Sequence, residues 1–150
     1  MIQFVDVILK KIFEQGKEYP WERPCACPKC GSSGKVWSHG YVRAIFDGFR
    51  THLFLKRYRC HICRCVITLR PLSHYSRFQS SRKTIRSSLD HRIKTGRWPK
   101  SDVCTARMRH WLRNLQNQVM AVLDCSWSFG LMSGYDKLLE MERIPVSRSI

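Results

Sequence analysis

Two pairs of cysteines in the Cys-x-x-Cys spacing are the residues of this chain with the clearest chemistry. The chain contains the hexapeptides CACPKC and CHICRC, separated by twenty-nine residues. Inside them lie the pairs Cys27/Cys30 and Cys60/Cys63. Each pair presents two thiolates at the tip of a tight turn, and two such turns facing each other can surround one ion tetrahedrally. We therefore expect one structural Zn²⁺ ion with these four ligands.

Disulfide bonds, free buried thiols and an iron–sulfur cluster are the alternatives to a zinc site. Eight cysteines are an even number, which disulfide pairing would need. The N-terminal sequence MIQFVDVILKKIF has lysines after its apolar run and no small-residue cleavage site, so it does not fit a secretory signal. We therefore expect a reducing, cytoplasmic compartment, in which disulfides are rare.

The remaining cysteines and one histidine need separate interpretations. One Zn²⁺ ion takes four ligands, so the outer pair Cys25 and Cys65 is left without a role. His61 lies inside the second pair and could replace a thiolate as ligand. Cys104 and Cys125 lie far along the chain in helical patterns, where we expect them to be buried apolar residues.

The charge of the chain indicates a polyanionic partner. The 150 residues carry a formal net charge of +16. Between Lys29 and Arg113 there are 20 Lys and Arg residues and 3 acids. Such a chain repels itself unless it meets a polyanion, and nucleic acid is the expected one. The basic residues are mixed with aromatics, not arranged as a lipid-facing helix, and no apolar run approaches the roughly eighteen residues of a membrane span, so no membrane partner is expected.

The sequence predicts an α+β fold for the elements that position the cysteines and the basic residues. We expect a small β zinc ribbon flanked by an N-terminal helix and a C-terminal helical, helix-turn-helix-like segment. The expected segments are an N-terminal helix with its linker (1–24), the zinc ribbon (25–71), a helix-turn-helix-like segment (72–125), and a C-terminal helix and tail (126–150).

Hydrophobic periodicity places the individual elements. Apolar residues at helical spacing predict an N-terminal helix over residues 2–15, ended by Gly16. Short β-rich stretches between and after the cysteine pairs predict strands near 36–37, 41–46, 52–58 and 66–69, with a hairpin turn at Asp47-Gly48.

Three helices are predicted after the ribbon. They cover residues 80–94, 102–123 and 131–141. The first two, joined by a Gly/Pro-containing turn, are compatible with a helix-turn-helix. We expect Trp98 and Trp111 to belong to the core.

The stretch CPKCGSSGKVWSHGYVRAIF, followed by LKRYRCHICRCVITLRP, resembles the zinc-ribbon segments near the N-terminus of bacterial insertion-sequence transposases and of small stand-alone proteins related to them. In that pattern a CPxCG knuckle and a basic strand lead to a second knuckle, written RYxCxxC. A helical DNA-binding segment commonly follows, and residues 80–123 look like one. The resemblance implies that Cys27, Cys30, Cys60 and Cys63 are zinc ligands. This chain departs from the pattern with Arg64 in place of a glycine and with the additional Cys65.

The chain lacks the catalytic part of such transposases. Those enzymes carry a downstream domain with three metal-binding carboxylates, whereas about 80 residues follow Pro71 here and their acids are few and scattered. That is too little for two-metal chemistry. Four thiolates would also make a closed, structural metal site, and no His-x-Glu or His-x-His motif occurs. We therefore expect no enzymatic activity.

These observations together predict a non-catalytic, nucleoid-associated protein of mobile-element descent that binds double-stranded DNA. We expect Arg109 and Arg113, with His110 beside them, to contact base edges. The residues expected to contact mainly phosphate are Lys35, Arg57, Arg59, Arg82, Lys83 and Arg86.

Two alternatives remain open at this stage. One is an RNA-binding ribonucleoprotein subunit that stacks bases on Tyr41, Tyr58, Tyr75 and Phe78. The other is an adaptor that recruits a separate nuclease or transposase through its terminal segments.

Overall fold

The chain folds as an α+β protein with a four-stranded sheet and four α-helices among residues 1–148, which are those that this computed structural model describes. Its contacts divide it into two compact units, Met1–Gln79 and a second that begins at Ser80. In chain order the elements are β1 (Ile2–Val5), α1 (Leu9–Gln15), β2 (Val36–Ala44), β3 (Leu53–Cys60), β4 (Val66–Pro71), α2 (Arg82–Thr95), α3 (Thr105–Val122) and α4 (Leu131–Glu140).

The first unit is built on the sheet, whose strand order is β1-β4-β3-β2. Strands β2, β3 and β4 pair antiparallel, and β1 pairs parallel with β4. The register of β2 on β3 shifts between Ser38 and Tyr41, where Gly40 has a φ of 80°. Three steps along β2 oppose two along β3 here, which is a β-bulge, and a glycine with positive φ suits such an irregularity.

The predicted N-terminal helix over residues 2–15 is wrong in its first half. Residues Ile2–Val5 form β1, and the helix α1 begins only at Leu9. The backbone N–H of Thr68 donates to the carbonyl of Met1 at 2.9 Å, and that of Leu72 donates to the carbonyl of Val5 at 2.8 Å. These bonds satisfy one edge of β4, and such pairing outweighs a helical spacing of apolar residues.

Two clusters of buried residues hold the first unit together. One contains Ile12 of α1 with Phe46, Leu53 and Leu55. The other contains two cysteines of the predicted metal site and apolar residues of β2, β3 and β4, namely Cys27, Val36, Tyr58, Cys60, Ile67 and Leu69. The candidate metal site is therefore continuous with the core of the sheet.

The second unit is a group of three helices. The side chain of Ser81 caps α2 by accepting from the N–H of Thr84 at 3.0 Å, and Gly96 ends this helix with a φ of 71°. Both residues are of the types that these positions favour. The residues buried in α3 and α4 include Met108, Trp111, Leu115, Val119, Tyr135 and Leu138. The expectation that Trp111 belongs to the core is confirmed.

The start of α3 differs from the prediction. The helix begins at Thr105, not at Asp102, and Cys104 is its N-cap residue. Cys104 therefore precedes the helix and is exposed, and Cys125 is exposed as well, so the expectation that both are buried is wrong. A helical pattern assigns burial only to residues inside the helix, and both cysteines lie outside one.

None of the helices formed by residues 1–148 has the length and apolar composition that crossing a membrane would need.

Candidate metal centre and basic surfaces

The four predicted cysteines lie together. The Sγ atoms of Cys27, Cys30, Cys60 and Cys63 are all within 4.8 Å of one another. Across the two turns, Cys27 Sγ is 3.6 Å from Cys63 Sγ and Cys30 Sγ is 3.7 Å from Cys60 Sγ. An ion about 2.3 Å from each of four tetrahedral thiolates would separate their sulfurs by about 3.8 Å. The group can therefore hold a metal ion, and its sulfurs are much farther apart than the roughly 2.05 Å of a disulfide bond.

The two cysteine turns, which we call knuckles, share one backbone arrangement. In the first knuckle the N–H of Cys27 donates to the carbonyl of Ser32 at 3.0 Å. In the second, the N–H of Cys60 donates to the carbonyl of Cys65 at 2.9 Å. The residue after the second cysteine of each knuckle has positive φ, 71° at Gly31 and 59° at Arg64. Ser32 and Cys65 therefore occupy corresponding positions.

Hydrogen bonds to sulfur favour the thiolate form at two of the ligands. The backbone N–H groups of Cys30 and Lys29 lower the pKa of Cys27. The hydroxyl and the N–H of Ser32 lower the pKa of Cys30 to about 6. At Cys63 the N–H of Cys65 also acts to lower the pKa, but burial and the neighbouring thiols raise it to about 12. The thiolate is the form that binds a metal, so these donors prepare the site for an ion.

Neither of the two outer cysteines belongs to this group. Among the residues that the structure describes, the group that could hold a metal includes neither Cys25, Cys65 nor His61. Cys25 is exposed, and its carbonyl accepts from the N–H of Gly34 at 3.1 Å. Cys65 packs against the cluster that contains Cys27 and Cys60.

The predicted basic contacts of the first unit lie on and beside the sheet. Lys35 and Arg59 are exposed, and Arg57 is half-buried. Arg59 on β3 is paired in register with Trp37 on β2, whose side chain is 58% exposed. Sequence reasoning assigned Trp37 only to a strand. The register of the two strands, which the sequence does not display, is what sets this tryptophan beside an arginine.

The basic residues of the second unit that were predicted to contact nucleic acid differ in their exposure and in their ion pairing. Arg109, His110 and Arg113 are exposed on α3, and Lys83 is exposed on α2. Arg82, by contrast, is half-buried, and the two terminal guanidinium nitrogens of Arg86, Nη1 and Nη2, donate to the carboxylate of Asp136. This carboxylate raises the pKa of Arg86 and compensates its charge, so Arg86 is a weaker candidate for a phosphate contact than the sequence indicates.

The connection between α2 and α3 is longer than the turn of a helix-turn-helix. Residues 96–104 join α2 to α3. A helix-turn-helix uses a turn of about three to four residues. The extra residues include Trp98, which was expected in the core and is instead half-buried.

Two of the four aromatic residues proposed for base stacking are unsuitable. Tyr58 and Tyr75 are each 4% exposed, and burial raises the pKa of Tyr58. Tyr41 and Phe78 are half-buried. A base needs access to a ring face, so Tyr58 and Tyr75 are excluded from that role.

No protein-family model, curated protein or solved structure matches this chain. The resemblance to transposase zinc ribbons therefore stays a prediction from the quoted motifs. The function of the protein is inferred from its own residues.

Proposed function

We propose that this protein binds nucleic acid, double-stranded DNA in the first place, and that one Zn²⁺ ion in the four-cysteine site holds its first unit in shape. The observation that carries the proposal is the excess of positive charge. There are 27 Lys and Arg residues and 11 acids, so sixteen positive charges would remain even if each acid compensated one. Exposed cations lie on both units, such as Lys35 and Arg59 on the first and Arg109 and Arg113 on the second. A polyanion is the partner that such a surface fits.

Zinc is the ion that the donor set favours. Four thiolates in a tetrahedral arrangement are typical ligands of Zn²⁺ or of iron–sulfur groups. A multi-iron cluster holds the thiolates bound to different irons farther apart than the 4.8 Å within which all four sulfurs lie here, so a single ion fits this group better than a cluster. Four protein ligands leave no open position, so the role we propose for the ion is structural. We propose that the protein acts by binding and not by catalysis.

Double-stranded DNA is favoured by the form of the second unit. Helix α3 has 18 residues and carries exposed arginines at positions 109 and 113, one turn apart. An α-helix of this kind fits the major groove or lies along the phosphates of a duplex. Descent from a mobile element is part of the same proposal and is supported by the quoted sequence resemblance.

The proposed zinc site is tested by measuring the number of zinc ions per chain in purified protein. We expect one zinc per chain in the wild type and a large loss in Cys27→Ser and Cys60→Ser, because each removes one of four thiolates. Cys25→Ser and Cys65→Ser are the matched controls and should keep one zinc. Full zinc content in Cys60→Ser, or loss in the two controls, would show that the ligand set is different.

Nucleic-acid binding is tested by titrating a fluorescent 20-base-pair duplex with the zinc-loaded protein at several salt concentrations. If about six phosphates are contacted, the logarithm of the binding constant should fall with the logarithm of salt with a slope of about −5. Absence of binding at low salt, or binding that salt does not weaken, would overturn the proposal.

Single-stranded RNA is a second candidate because Trp37 is exposed beside Arg59. An exposed indole next to a cation can stack a base, and each such stack contributes about 1–3 kcal/mol. Competition of matched single-stranded RNA against the duplex separates the candidates. If RNA competes better and Trp37→Ala weakens only RNA binding, the second candidate is correct. Phe129→Ala, which alters a 74% exposed aromatic ring of the second unit, is the control.

A further inference from the structure

The second unit contains a cleft whose lining is unusual for its density of arginine. It has a volume of about 340 Å³ and lies between the C-terminal turn of α2, the connection after it and the exposed face of α3. Its lining residues are Arg92, Trp98, Arg109, Leu112, Arg113 and Gln116. We call it the arginine cleft.

The helical spacing explains why these residues share one opening. Residues 109, 112, 113 and 116 are three or four positions apart on α3, so their side chains project from one face of the helix. From the other side, the guanidinium carbon of Arg92 lies 5.4 Å from the ring centroid of Trp98. The indole therefore forms one wall of the cleft, and three guanidinium groups border its opening.

The charges of this cleft have no acidic partner in the structure. Among residues 1–148, none of the ion pairs includes Arg92, Arg109 or Arg113. A neighbouring cation does have an acidic partner. The Nζ of Lys94 lies 2.7 Å from a carboxylate oxygen of Asp90, one turn away on α2. Arg92 lies at a helix C-terminus, where the helix dipole favours a cation. That reason does not extend to Arg109 and Arg113, which lie in the N-terminal half of α3.

Three like charges around one opening repel each other unless an anion lies between them. Guanidinium groups bind phosphate with two parallel N–H···O bonds, which makes arginine the residue best suited to this group. The volume of the cleft is at the lower end of the roughly 300–1,000 Å³ of sites that hold small molecules. It therefore offers room for more than a bare phosphate.

We propose that the arginine cleft binds a phosphate group of the nucleic-acid backbone, with the indole of Trp98 against the attached sugar or base. This inference rests on the proposed function, since the phosphate belongs to a nucleic acid. It also changes the role of two residues: Arg109 and Arg113 hold the backbone and do not read base edges. Contacts of this kind fix the position of the protein on the strand and carry no sequence information.

The test compares two double variants of equal charge. Arg109→Gln/Arg113→Gln removes two cations from the cleft. The control Arg143→Gln/Arg148→Gln removes two exposed cations of the same unit that do not line it. Both are titrated with the fluorescent duplex in several unrelated sequences and at several salt concentrations, after circular dichroism has shown that each is folded.

For the cleft variant we expect affinity to fall on the order of tenfold at low salt, equally for every sequence. The magnitude of its salt slope should fall by about 1, because one phosphate contact is lost. The control should lose much less. Arg113→Lys should retain the salt slope of the wild type but bind several-fold more weakly, because an ammonium keeps the charge without the paired hydrogen bonds.

Nuclear magnetic resonance gives a direct readout on the wild type. Adding the unlabelled duplex should shift the Nε–H signals of Arg92, Arg109 and Arg113 and the indole N–H signal of Trp98. The same signals should remain unshifted when the uncharged duplex analogue, a peptide nucleic acid, is added.

The outcomes separate this inference from the proposed function. If the wild type binds no nucleic acid, the proposed function fails. If it binds, but the cleft variant and the control bind equally well, the arginine cleft is not a phosphate site and the proposed function stands. If the cleft variant loses affinity for one sequence only, its arginines read bases and the phosphate assignment is wrong.

Discussion

At the scale of single residues, the two knuckles differ most in the residue that follows their second cysteine. Gly31 and Arg64 both adopt positive φ, 71° and 59°. For a residue with a side chain this conformation costs roughly 1–2 kcal/mol, because Cβ approaches the following carbonyl. The second knuckle therefore stores strain that the first avoids with glycine.

Relieving that strain should stabilise the protein. In Arg64→Gly the backbone cost disappears, while the greater freedom of glycine in the unfolded chain offsets up to about 1 kcal/mol. We expect a net gain of up to about 1 kcal/mol in the free energy of unfolding of the zinc-loaded protein, measured by denaturant titration.

The reciprocal substitution provides the control. A Cβ added at Gly31 would meet no atom within 4 Å, so Gly31→Ala tests the backbone alone. It should destabilise by up to about 1 kcal/mol, because the smaller freedom of alanine in the unfolded chain offsets part of the backbone cost. A loss of stability in Arg64→Gly would show that the arginine side chain contributes more than its backbone costs.

The sequence was sufficient to identify the four cysteines that come together, because two Cys-x-x-Cys pairs are the usual ligand set of one metal ion. It was not sufficient to place Cys104, Cys125, Tyr58 or Tyr75 correctly as buried or exposed. Exposure depends on what packs over a residue, and that is decided by contacts between elements distant in the chain.

At the scale of elements, the contact of α3 with α4 depends on the absence of a side chain. Gly134 lies on the buried face of α4, and a Cβ there would be 2.7 Å from Cγ2 of Val119 and 3.3 Å from Nε1 of Trp127. Glycine normally weakens a helix by about 1 kcal/mol relative to alanine, so its presence here indicates a packing requirement.

Gly134→Ala should therefore destabilise the protein although alanine is the better helix former. We expect a loss of about 1–3 kcal/mol, the usual cost of overpacking, in the unfolding transition of the second unit. Ser133→Ala, at the exposed neighbouring position, should leave stability unchanged or raise it slightly. A stabilised Gly134→Ala would mean that Val119 moves aside at little cost.

The sequence predicted elements that have their own end signals better than the strand whose pairing partner lies far along the chain. Helices α2 and α4 and the strands β3 and β4 lie close to their predicted positions, because each has its own periodicity and its own end signals. Strand β1 has 4 residues, and its pairing partner Thr68 is more than sixty positions away from Ile2. No local pattern in Ile2–Val5 announces a partner at that distance, so the extension of the sheet could not be foreseen.

At the scale of the whole molecule, only the first unit contains a candidate metal site among the residues that the structure describes. Two of its candidate ligands, Cys27 and Cys60, belong to a buried cluster of that unit. The free energy of metal binding at this candidate site would therefore be coupled to folding of the first unit.

Removal of the ion should act on one part of the chain. After addition of a strong chelator to the full chain, we expect amide protons of β2, β3 and β4 to lose most of their protection against hydrogen exchange. Those of α3 should retain protection. Mass-spectrometric exchange of the same sample, with and without restored zinc, measures both regions at once. Equal loss of protection in the two units would show that the metal supports the entire molecule.

The irregular β2 strand has a consequence for the behaviour of many copies in solution. Within residues 1–148, β2 pairs only with β3, so its 9 residues form an outer edge of the sheet. A long, regular edge invites another chain to add a strand, which leads to aggregation. The bulge at Gly40 twists that edge, and the exposed cation Arg43 repels a second copy. We therefore expect the same strand that presents Trp37 to disfavour the addition of a second copy along its own edge.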